Sequence, residues 1–204
     1  MSVEKVLLIR HGETDFNRER RLQGVMEIPL NERGREQAAA VARYLKGRSI
    51  DALYTSPILR AQETAEIIGE RIGLPPHGDK RLREIEFGIF EGHSFAEVER
   101  RFPAAHRNWS TGYIAYKAPK GESRQDVQRR MRAAWDDLTA HLDHRTIAIV
   151  THGSAIAIFL GSMYALLPDT AIKNTSITTL RRREEIWEIL GFAQTPHLNG
   201  RGES

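Results

Sequence analysis

Two histidines in this sequence share one local pattern, in which a short apolar run ends in histidine and glycine. His11 follows the first run, in LLIRHGE, and His152 follows the second, in AIVTHGS. Glycine removes side-chain bulk where the backbone must approach a ligand or take an unusual dihedral angle. Imidazole can act as a nucleophile, a general base or a hydrogen-bond donor. One His–Gly pair is weak evidence, because most such histidines are structural, but two similar pairs favour a shared site.

Two arginines can add positive charge to these histidines. Arg10 directly precedes His11, and Arg60 lies in the first turn of the helix predicted after Ser56-Pro57. A helix N-terminus favours anions through its free N–H groups and its dipole. A guanidinium can bind phosphate through two parallel hydrogen bonds. Most arginines on helices are surface residues, but this combination is typical of an anion-binding site.

A group of carboxylates offers a general acid. Glu84, Glu86 and Glu91 lie close together in the chain, among apolar residues and glycines. A carboxyl group next to an apolar wall has a raised pKa and can protonate a leaving oxygen. Residue types alone do not distinguish the three, and each could equally be a solvated loop carboxylate.

Apolar patterns along the chain alternate between those of strands and those of helices. The predicted strands cover residues 6–9, 51–55, 146–150, 177–180 and 186–190. The predicted helices cover residues 31–46, 57 to 69 or 73, 95–102, 123–142 and 154–166. We expect the last two strands to pair antiparallel, and we expect Ser56 to cap the second helix with Pro57 as its first residue.

This alternation predicts an α/β fold with three layers, in which helices cover both faces of a mostly parallel sheet. In such sheets, ligands bind at the carboxyl ends of the strands. His11 and His152 would therefore face each other if the strands that precede them are neighbours. The same rule predicts a site at this edge of the sheet.

The chain length of 204 residues suits a single domain over residues 1–204. Glycines, prolines and aromatic residues at about 77–122 predict a small inserted lid, irregular apart from one helix. The polar tail at 199–204 is expected to be mobile.

Composition narrows the classes of function. Hydrophobic residues make up 40% of the chain, and the absence of cysteine excludes disulfides, thiolate metal sites and a cysteine nucleophile. The net charge of +3 is mildly basic, but the Arg-Arg pairs are scattered, so we expect no nucleic-acid binding. No apolar run is long enough to span a membrane. A cytoplasmic protein with no membrane partner is the expectation.

The chemistry-bearing residues belong to an ordered series of blocks that resembles the histidine phosphatase superfamily, the phosphoglycerate-mutase-like proteins. The blocks run from about residue 5 to residue 180, and the ordered set is highly specific although Arg-His-Gly alone is short. They comprise Leu8–Thr14, Asn17, Leu22–Gly24, Pro29-Leu30, Gly34–Ala38, Tyr54–Ala65, Leu82–Glu84, Phe90–Gly92, Gly121–Ser123 and Val150–Gly153.

The resemblance implies a role for each matching residue. It makes His11 the nucleophile that becomes phosphorylated, and it selects Glu84 as the general acid and base. The residues that it implies for holding the phosphoryl oxygens are Arg10, Arg60 and His152. The residues that it implies for binding the phosphate or the adjoining substrate are Asn17, Gln23 and Gly24. It implies a small phosphorylated metabolite as substrate. The sequence has no obvious carboxylate cluster for a metal ion, so we expect no metal and no cofactor, and the mixed surface would permit a homodimer.

Two other functions are alternatives to a phosphatase: a mutase of the same superfamily and a non-catalytic protein that binds phosphate. Cofactor-dependent phosphoglycerate mutases carry an insertion soon after the acid/base glutamate, which this chain lacks after Glu84, so a phosphatase is favoured over a mutase-type phosphotransferase. The length resembles the short broad-specificity and α-ribazole phosphatase branch. A non-catalytic phosphate-binding regulator is less favoured, because such a protein would be expected to lose His11, Glu84 or His152. The residues that decide specificity are expected to lie in the lid. The candidates are His93, Trp109, Tyr113, Tyr116 and Lys117, although ordinary packing or surface exposure is the favoured interpretation for any one of them.

Overall fold

The computed structural model describes residues 3–141, 143–165 and 170–198, which fold around one six-stranded sheet. The strands are β1 (Lys5–Arg10), β2 (Ala52–Thr55), β3 (Pro76–Gly78), β4 (Thr146–Thr151), β5 (Ile177–Arg183) and β6 (Ile186–Gln194). Seven α-helices lie within the described ranges. They are α1 (Asp15–Arg18), α2 (Glu32–Leu45), α3 (Leu59–Ile72), α4 (Phe95–Arg101), α5 (Pro103–Ser110), α6 (Arg124–Thr139) and α7 (Gly153–Met163). The predicted tail at 199–204 lies outside the described residues.

The strand order β3-β2-β4-β1-β5-β6 places the two histidine-bearing strands side by side. β1 pairs parallel to β4, with Arg10 opposite Thr151, and β4 also pairs parallel to β2. β5 pairs antiparallel to β1 and to β6. The sheet is therefore mixed but mostly parallel, as predicted, and the last two strands form the expected antiparallel pair.

Helices cover both faces of this sheet, which confirms the predicted α/β fold with three layers. Side chains alternate along β1: Val6 and Leu8 pack in the core beneath α6 and α7, and Leu7 and Ile9 pack in the core beneath α2 and α3. Strands buried on both faces read as continuous apolar runs, because successive side chains point to opposite sides. No helix within the described ranges is both long and apolar enough to cross a membrane.

The start of α3 differs from the prediction. Ser56 does not cap this helix and Pro57 is not its first residue, because α3 begins at Leu59 with Ile58 as an N-cap that has no side-chain hydrogen bond. The hydroxyl of Ser56 is instead engaged by the backbone N–H of Ile58 and by His152. The proline turn thus places a buried serine in the site.

The segment at about 77–122 is more ordered than predicted. It contains α4 and a second helix, α5, which begins with Pro103 at its first position, where proline costs no hydrogen bond. Short 3₁₀ turns lie at Lys80–Leu82 and Gly88–Phe90. Aromatic side chains hold the segment together, with Trp109 packed edge-on against Phe90 at 6.0 Å between ring centroids.

Two other helices end earlier than predicted. α6 ends at Thr139 and α7 ends at Met163. The predicted ends of both helices, at residues 142 and 166, lie outside the described residues. The N-terminus of α6 has Ser123 as its N-cap, with a capping box formed by Asp126.

Candidate active site

His11 and His152 face each other at the carboxyl edge of the sheet, as the sequence predicts. Their ring centroids are 5.2 Å apart and the ring planes are tilted by 58°. His11 is 2% exposed and His152 is fully buried. Each follows the last residue of its strand, so the adjacent parallel strands β1 and β4 set the spacing between the two rings.

Hydrogen bonds define the protonation of His11. Its Nδ1 lies 2.7 Å from the carbonyl oxygen of Gly12, which can only accept, so Nδ1 carries the proton. The Nε of Arg60 donates to Nε2 of His11 at 3.2 Å, so Nε2 carries a lone pair. Burial lowers the pKa of His11 well below its ordinary value of 6.5, and the charges of Arg60 and Arg10 lower it further. The ring is therefore neutral, with Nε2 as its nucleophilic atom.

Arg60 is buried beside this ring, at 1% exposure. Besides the bond to His11, its two terminal nitrogens donate to the carbonyl oxygens of Met26 at 3.0 Å and Gly24 at 2.7 Å. Burial is the main cause that lowers the pKa of Arg60 to about 10, so it remains a cation near neutral pH. Arg60 thus ties the nucleophile candidate to the loop that follows Gln23.

Gly24 has a backbone conformation that few residues other than glycine adopt, with φ of 50°. A Cβ atom at this position would also overlap the carboxylate of Glu91. The Glu91 carboxylate accepts hydrogen bonds from the backbone N–H groups of Val25 and Phe87. Burial raises the pKa of Glu91. Glu91 therefore supports the loop that Arg60 binds.

Arg10 and His152 bring two buried donor atoms to the site. Arg10 donates from one terminal nitrogen to the carbonyl oxygen of Ile172 at 2.7 Å. Nε2 of His152 lies 2.8 Å from the hydroxyl oxygen of Ser56. Among the described residues, Nε of Arg10 and Nδ1 of His152 have no hydrogen-bond partner. Burial, followed by the nearby charge of Arg60, lowers the pKa of His152 well below 6.5.

Glu84 lies at the N-terminus of α7, the helix that follows His152. Its Oε1 accepts from the backbone N–H groups of Ile85 at 3.0 Å and Ala155 at 2.8 Å, and its Oε2 accepts from that of Ser154 at 3.1 Å. An apolar wall beside the general acid is an expectation from the sequence, but backbone amides surround the carboxylate of Glu84 in the structure. Of its two oxygens, Oε2 has fewer bonds to the backbone.

The other two carboxylates of this group have different surroundings. Glu86 forms an ion pair with Arg83 at 3.2 Å, and both side chains are partly exposed. Glu91 is engaged with the loop that contains Gly24. Of the three glutamates, Glu84 alone bonds to the helix that begins after His152.

The glycines after the two histidines allow close packing within the protein. A Cβ atom at Gly12 would lie 2.5 Å from the carbonyl oxygen of Gly34, and one at Gly153 would lie 3.2 Å from Nε of Arg10. The sequence predicts glycine where the backbone approaches a ligand or takes an unusual dihedral angle. At Gly12 the close neighbour is instead the backbone of α2.

The structure brings Asn17 and Gln23 to the edge of this site. The amide oxygen of Asn17 accepts from the backbone N–H of Thr14, in a capping box of α1. Gln23 is buried, and its amide oxygen accepts from the hydroxyl of Thr14 at 2.9 Å. Asn174 donates to Asn17 and to the carbonyl oxygens of His11 and Gly12, all at 3.1 Å.

Sequence reasoning missed Asn174, the role of Ser56, and Arg130. Arg130 of α6 donates to the backbone carbonyl oxygens of Arg83 and Glu84, and it forms a bidentate pair with Glu122. Ser56 was predicted to cap α3, but its hydroxyl is paired with His152 instead. Asn174 and Arg130 bond to backbone atoms that are distant in sequence, so no local motif indicates them.

Replacing Arg130 by methionine is expected to lower the free energy of unfolding by about 3 kcal/mol, because a mostly buried carboxylate and several carbonyl groups lose their partner. The control is Arg132→Met on the same helix, where the exposed pair with Asp136 contributes at most about 1 kcal/mol. Urea denaturation of both variants measures the difference. Equal losses in the two variants would contradict this role.

Stability should fall as the pH decreases below 6.5. The unfolded chain takes up protons on His11 and His152 near their ordinary pKa of 6.5, whereas the folded protein keeps both neutral to well below it. The unfolded state then binds more protons, and each histidine lowers the free energy of unfolding by up to about 1.4 kcal/mol per pH unit. Urea denaturation between about pH 7.5 and 5.5 measures this slope. His152→Gln should reduce it, and an unchanged slope would be evidence against the assignment.

The lid residues that are candidates for deciding specificity differ in exposure and in the residues that they contact. Trp109 is half-buried and lines a groove beside the site. Tyr113 is exposed, Lys117 forms an ion pair with Asp126, and His93 packs edge-on against Phe102.

Within the described ranges, no cluster of three or more His, Cys, Asp or Glu side chains is arranged to hold a metal ion.

Comparison with known proteins adds independent findings. A probable phosphoglycerate mutase GpmB of Yersinia enterocolitica is 31% identical over 204 residues, which covers 96% of this chain and 95% of that protein. The uncharacterized phosphatase PhoE of Bacillus subtilis is 32% identical over 198 residues, with coverage of 96% and 97%. A structure of a phosphoserine phosphatase mutant from Entamoeba histolytica in complex with phosphoserine has a TM-score of 0.83 at 30% identity, with coverage of 95% and 98%.

These relatives are named as phosphatases or as probable phosphoglycerate mutases, and the Entamoeba structure contains a phosphorylated small molecule. The sequence model of the histidine phosphatase superfamily (branch 1) matches residues 6–195. That range contains both His–Gly pairs, both arginines of the site and Glu84. The chain therefore belongs to the histidine phosphatase superfamily, branch 1.

Proposed function

We propose that this protein is a phosphomonoester hydrolase that acts on small phosphorylated metabolites through a phosphohistidine intermediate at His11. The observation that carries the proposal is the neutral ring of His11, whose Nε2 lone pair faces the buried guanidinium of Arg60. A neutral imidazole held against fixed positive charge is a nucleophile matched to an anionic phosphoryl group.

The phosphoryl oxygens are bound by Arg10, Arg60 and His152. Nε of Arg10 and Nδ1 of His152 are among the buried atoms without a partner in the described residues, and they support this role because an anion would complete their hydrogen bonding. Among the described residues, Nε2 of His152 is the acceptor available to the buried hydroxyl of Ser56. When this hydroxyl donates its proton to Nε2, Nδ1 carries the ring proton of His152. Asn17, Gln23 and Gly24 contribute to the binding of the phosphate or of the adjoining substrate.

Glu84 acts as the general acid and then as the general base. Its Oε2 is the better candidate for the transferred proton, since Oε1 already accepts two backbone hydrogen bonds. Nε2 of His11 attacks phosphorus, an N–P bond forms, the ester P–O bond breaks, and Glu84 protonates the leaving oxygen. Glu84 then takes a proton from water, which attacks phosphorus and breaks the N–P bond. The step needs no metal ion.

A mutase-type phosphotransferase is the second candidate, and the similarity to a probable phosphoglycerate mutase favours it. A mutase must protect its phosphohistidine from water, whereas a phosphatase must admit water. The short segment after Glu84 supports the phosphatase. A non-catalytic phosphate-binding regulator is a third possibility, but the presence of His11, Glu84 and His152 argues against it.

Phosphate release from a panel of phosphomonoesters, with a chelator present, tests this proposal. We expect turnover that the chelator does not change. If no ester is hydrolysed, the proposal fails, and 3-phosphoglycerate with a bisphosphoglycerate primer then tests for a mutase.

A further inference from the structure

A groove with a volume of about 510 Å³ lies beside the candidate site, between the predicted lid and the helices α6 and α7. Its lining is mostly apolar. The main apolar side chains are those of Leu22, Ile85, Phe87, Trp109, Ala157 and Ile158. Binding pockets for small molecules are typically apolar with a few polar groups.

The groove adjoins a depression that is lined by Arg10 and Glu84. Ser154 and Ala157 line both the groove and the depression over Arg10 and Glu84. Ser154 and Ile85, which both line the groove, also donate backbone hydrogen bonds to Glu84. A substrate whose leaving oxygen is protonated by Glu84 would therefore have the rest of its leaving group at the mouth of this groove.

The border of the groove exposes large apolar side chains. Phe95 is 53% exposed and Ile114 is 41% exposed. Phe95 also stacks on Trp109, with ring centroids 6.0 Å apart, and Trp109 packs edge-on against Phe87. Adjoining apolar side chains at a surface commonly mark a binding site. Aromatic walls of this kind suit a flat ring, because rings gain from stacked or edge-on contacts in addition to the area that they bury.

The groove also has a cation in its lining. Within the described ranges, the half-buried guanidinium of Arg124 has no hydrogen-bond or ion-pair partner, and Gln128 lies on the same helix. A leaving group that is largely apolar but carries an oxygen acceptor therefore fits the lining.

We infer that this groove is the leaving-group subsite, and that it selects phosphomonoesters of apolar, ring-bearing alcohols over those of small polar alcohols. This inference rests on the proposed function, because it uses Glu84 to orient the substrate. An added apolar group in such a pocket changes specificity by about tenfold or more.

Binding of two non-hydrolysable phosphonates tests the inference without turnover. Isothermal titration calorimetry compares naphthylmethylphosphonate, which has an aromatic group, with methylphosphonate, which has none. We expect the wild-type protein to bind the naphthyl compound about tenfold or more tightly. Equal affinities would overturn the inference.

Two groove variants and one control test whether the groove causes the tighter binding of the naphthyl compound. Trp109→Ala removes the aromatic wall, and Ala157→Leu fills the groove where it meets the site with a residue that favours helix. Both should reduce the naphthyl preference to less than about threefold, whereas Arg107→Ala, at an exposed residue of α5 outside the lining, should keep it. A preference that persists in both groove variants would also overturn the inference, and Ala157→Leu suffices if Trp109→Ala folds poorly.

The panel of esters separates this inference from the proposed function. If no ester is hydrolysed but the naphthyl preference is present and depends on Trp109 and Ala157, the catalytic proposal fails and the apolar subsite stands. If esters are hydrolysed but the phosphonates bind equally well, the hydrolase stands and the subsite fails.

Discussion

Replacing His11 by alanine is expected to abolish turnover of every phosphomonoester, with a loss of about 10⁴-fold or more. The physical reason is that Nε2 of His11 is the atom that forms the bond to phosphorus, and no other neutral imidazole nitrogen has the same position beside Arg60. His152 is not expected to replace it, because Nδ1 of His152 is the proposed donor to the phosphoryl oxygens while its Nε2 is paired with Ser56. Phosphate release under saturating substrate measures the loss.

The folded state should survive this change, because the strand register around His11 depends on backbone pairing with β4. Circular dichroism and the urea midpoint check that the variant is folded. The control is His77→Ala, which removes an exposed imidazole from β3 and should leave turnover unchanged. Turnover at the normal rate in folded His11→Ala would refute the role of His11 as nucleophile.

Replacing Glu84 by glutamine is expected to slow the hydrolysis of alkyl phosphates by about a hundredfold or more, because an alkoxide needs a proton as it leaves. The loss for p-nitrophenyl phosphate should be much smaller, since nitrophenolate is a stable anion. The glutamine side chain keeps an oxygen for two of the three backbone N–H donors, but its NH₂ group then faces the third donor. Some loss of affinity for the substrate is therefore also expected. The ratio of kcat values for the two substrates isolates the proton transfer.

Glu86→Gln is the matched control, because this carboxylate is two residues away and pairs with the partly exposed Arg83. It should leave both substrates nearly unchanged. If Glu84→Gln slows both substrates equally, Glu84 is not the general acid.

Much of the site's placement could be predicted because buried strands have a recognisable apolar pattern in the sequence. The central runs of these strands, at residues 6–9 and 147–150, are apolar at every position, as expected for strands buried on both faces. Parallel strands bring their carboxyl ends to one edge, so two similar endings imply one site. The choice of Glu84 among three glutamates did not come from this reasoning, since it depended on the family resemblance.

The contacts that hold these residues could not be predicted in the same way. Arg60 bonds to carbonyl oxygens of residues 24 and 26, and Arg130 bonds to those of residues 83 and 84. Every residue has a carbonyl oxygen, so an arginine that binds one leaves no mark on the sequence of its partner. Ser56 illustrates the same difficulty, because Ser-Pro before a helix is a common capping pattern while its actual partner is 96 positions away.

The lid segment was less predictable for a different reason. α5 follows α4 after one residue, and its first residue is a proline, which reads as a break although it is favourable at a helix start. β3 has three residues, begins with Pro76 and lies at the edge of the sheet, where proline is tolerated. Tertiary packing of the aromatic side chains, more than local pattern, orders this segment.

Trapping the phosphoenzyme tests the central claim most directly. The protein is mixed with a phosphomonoester, quenched within milliseconds in alkali, digested, and analysed by mass spectrometry under conditions that preserve phosphohistidine. We predict an acid-labile phosphoryl group on the peptide that contains His11, at Nε2, and none in His11→Ala. Turnover of the ester with no phosphoryl group on this peptide, or with the group on another residue, would contradict the account.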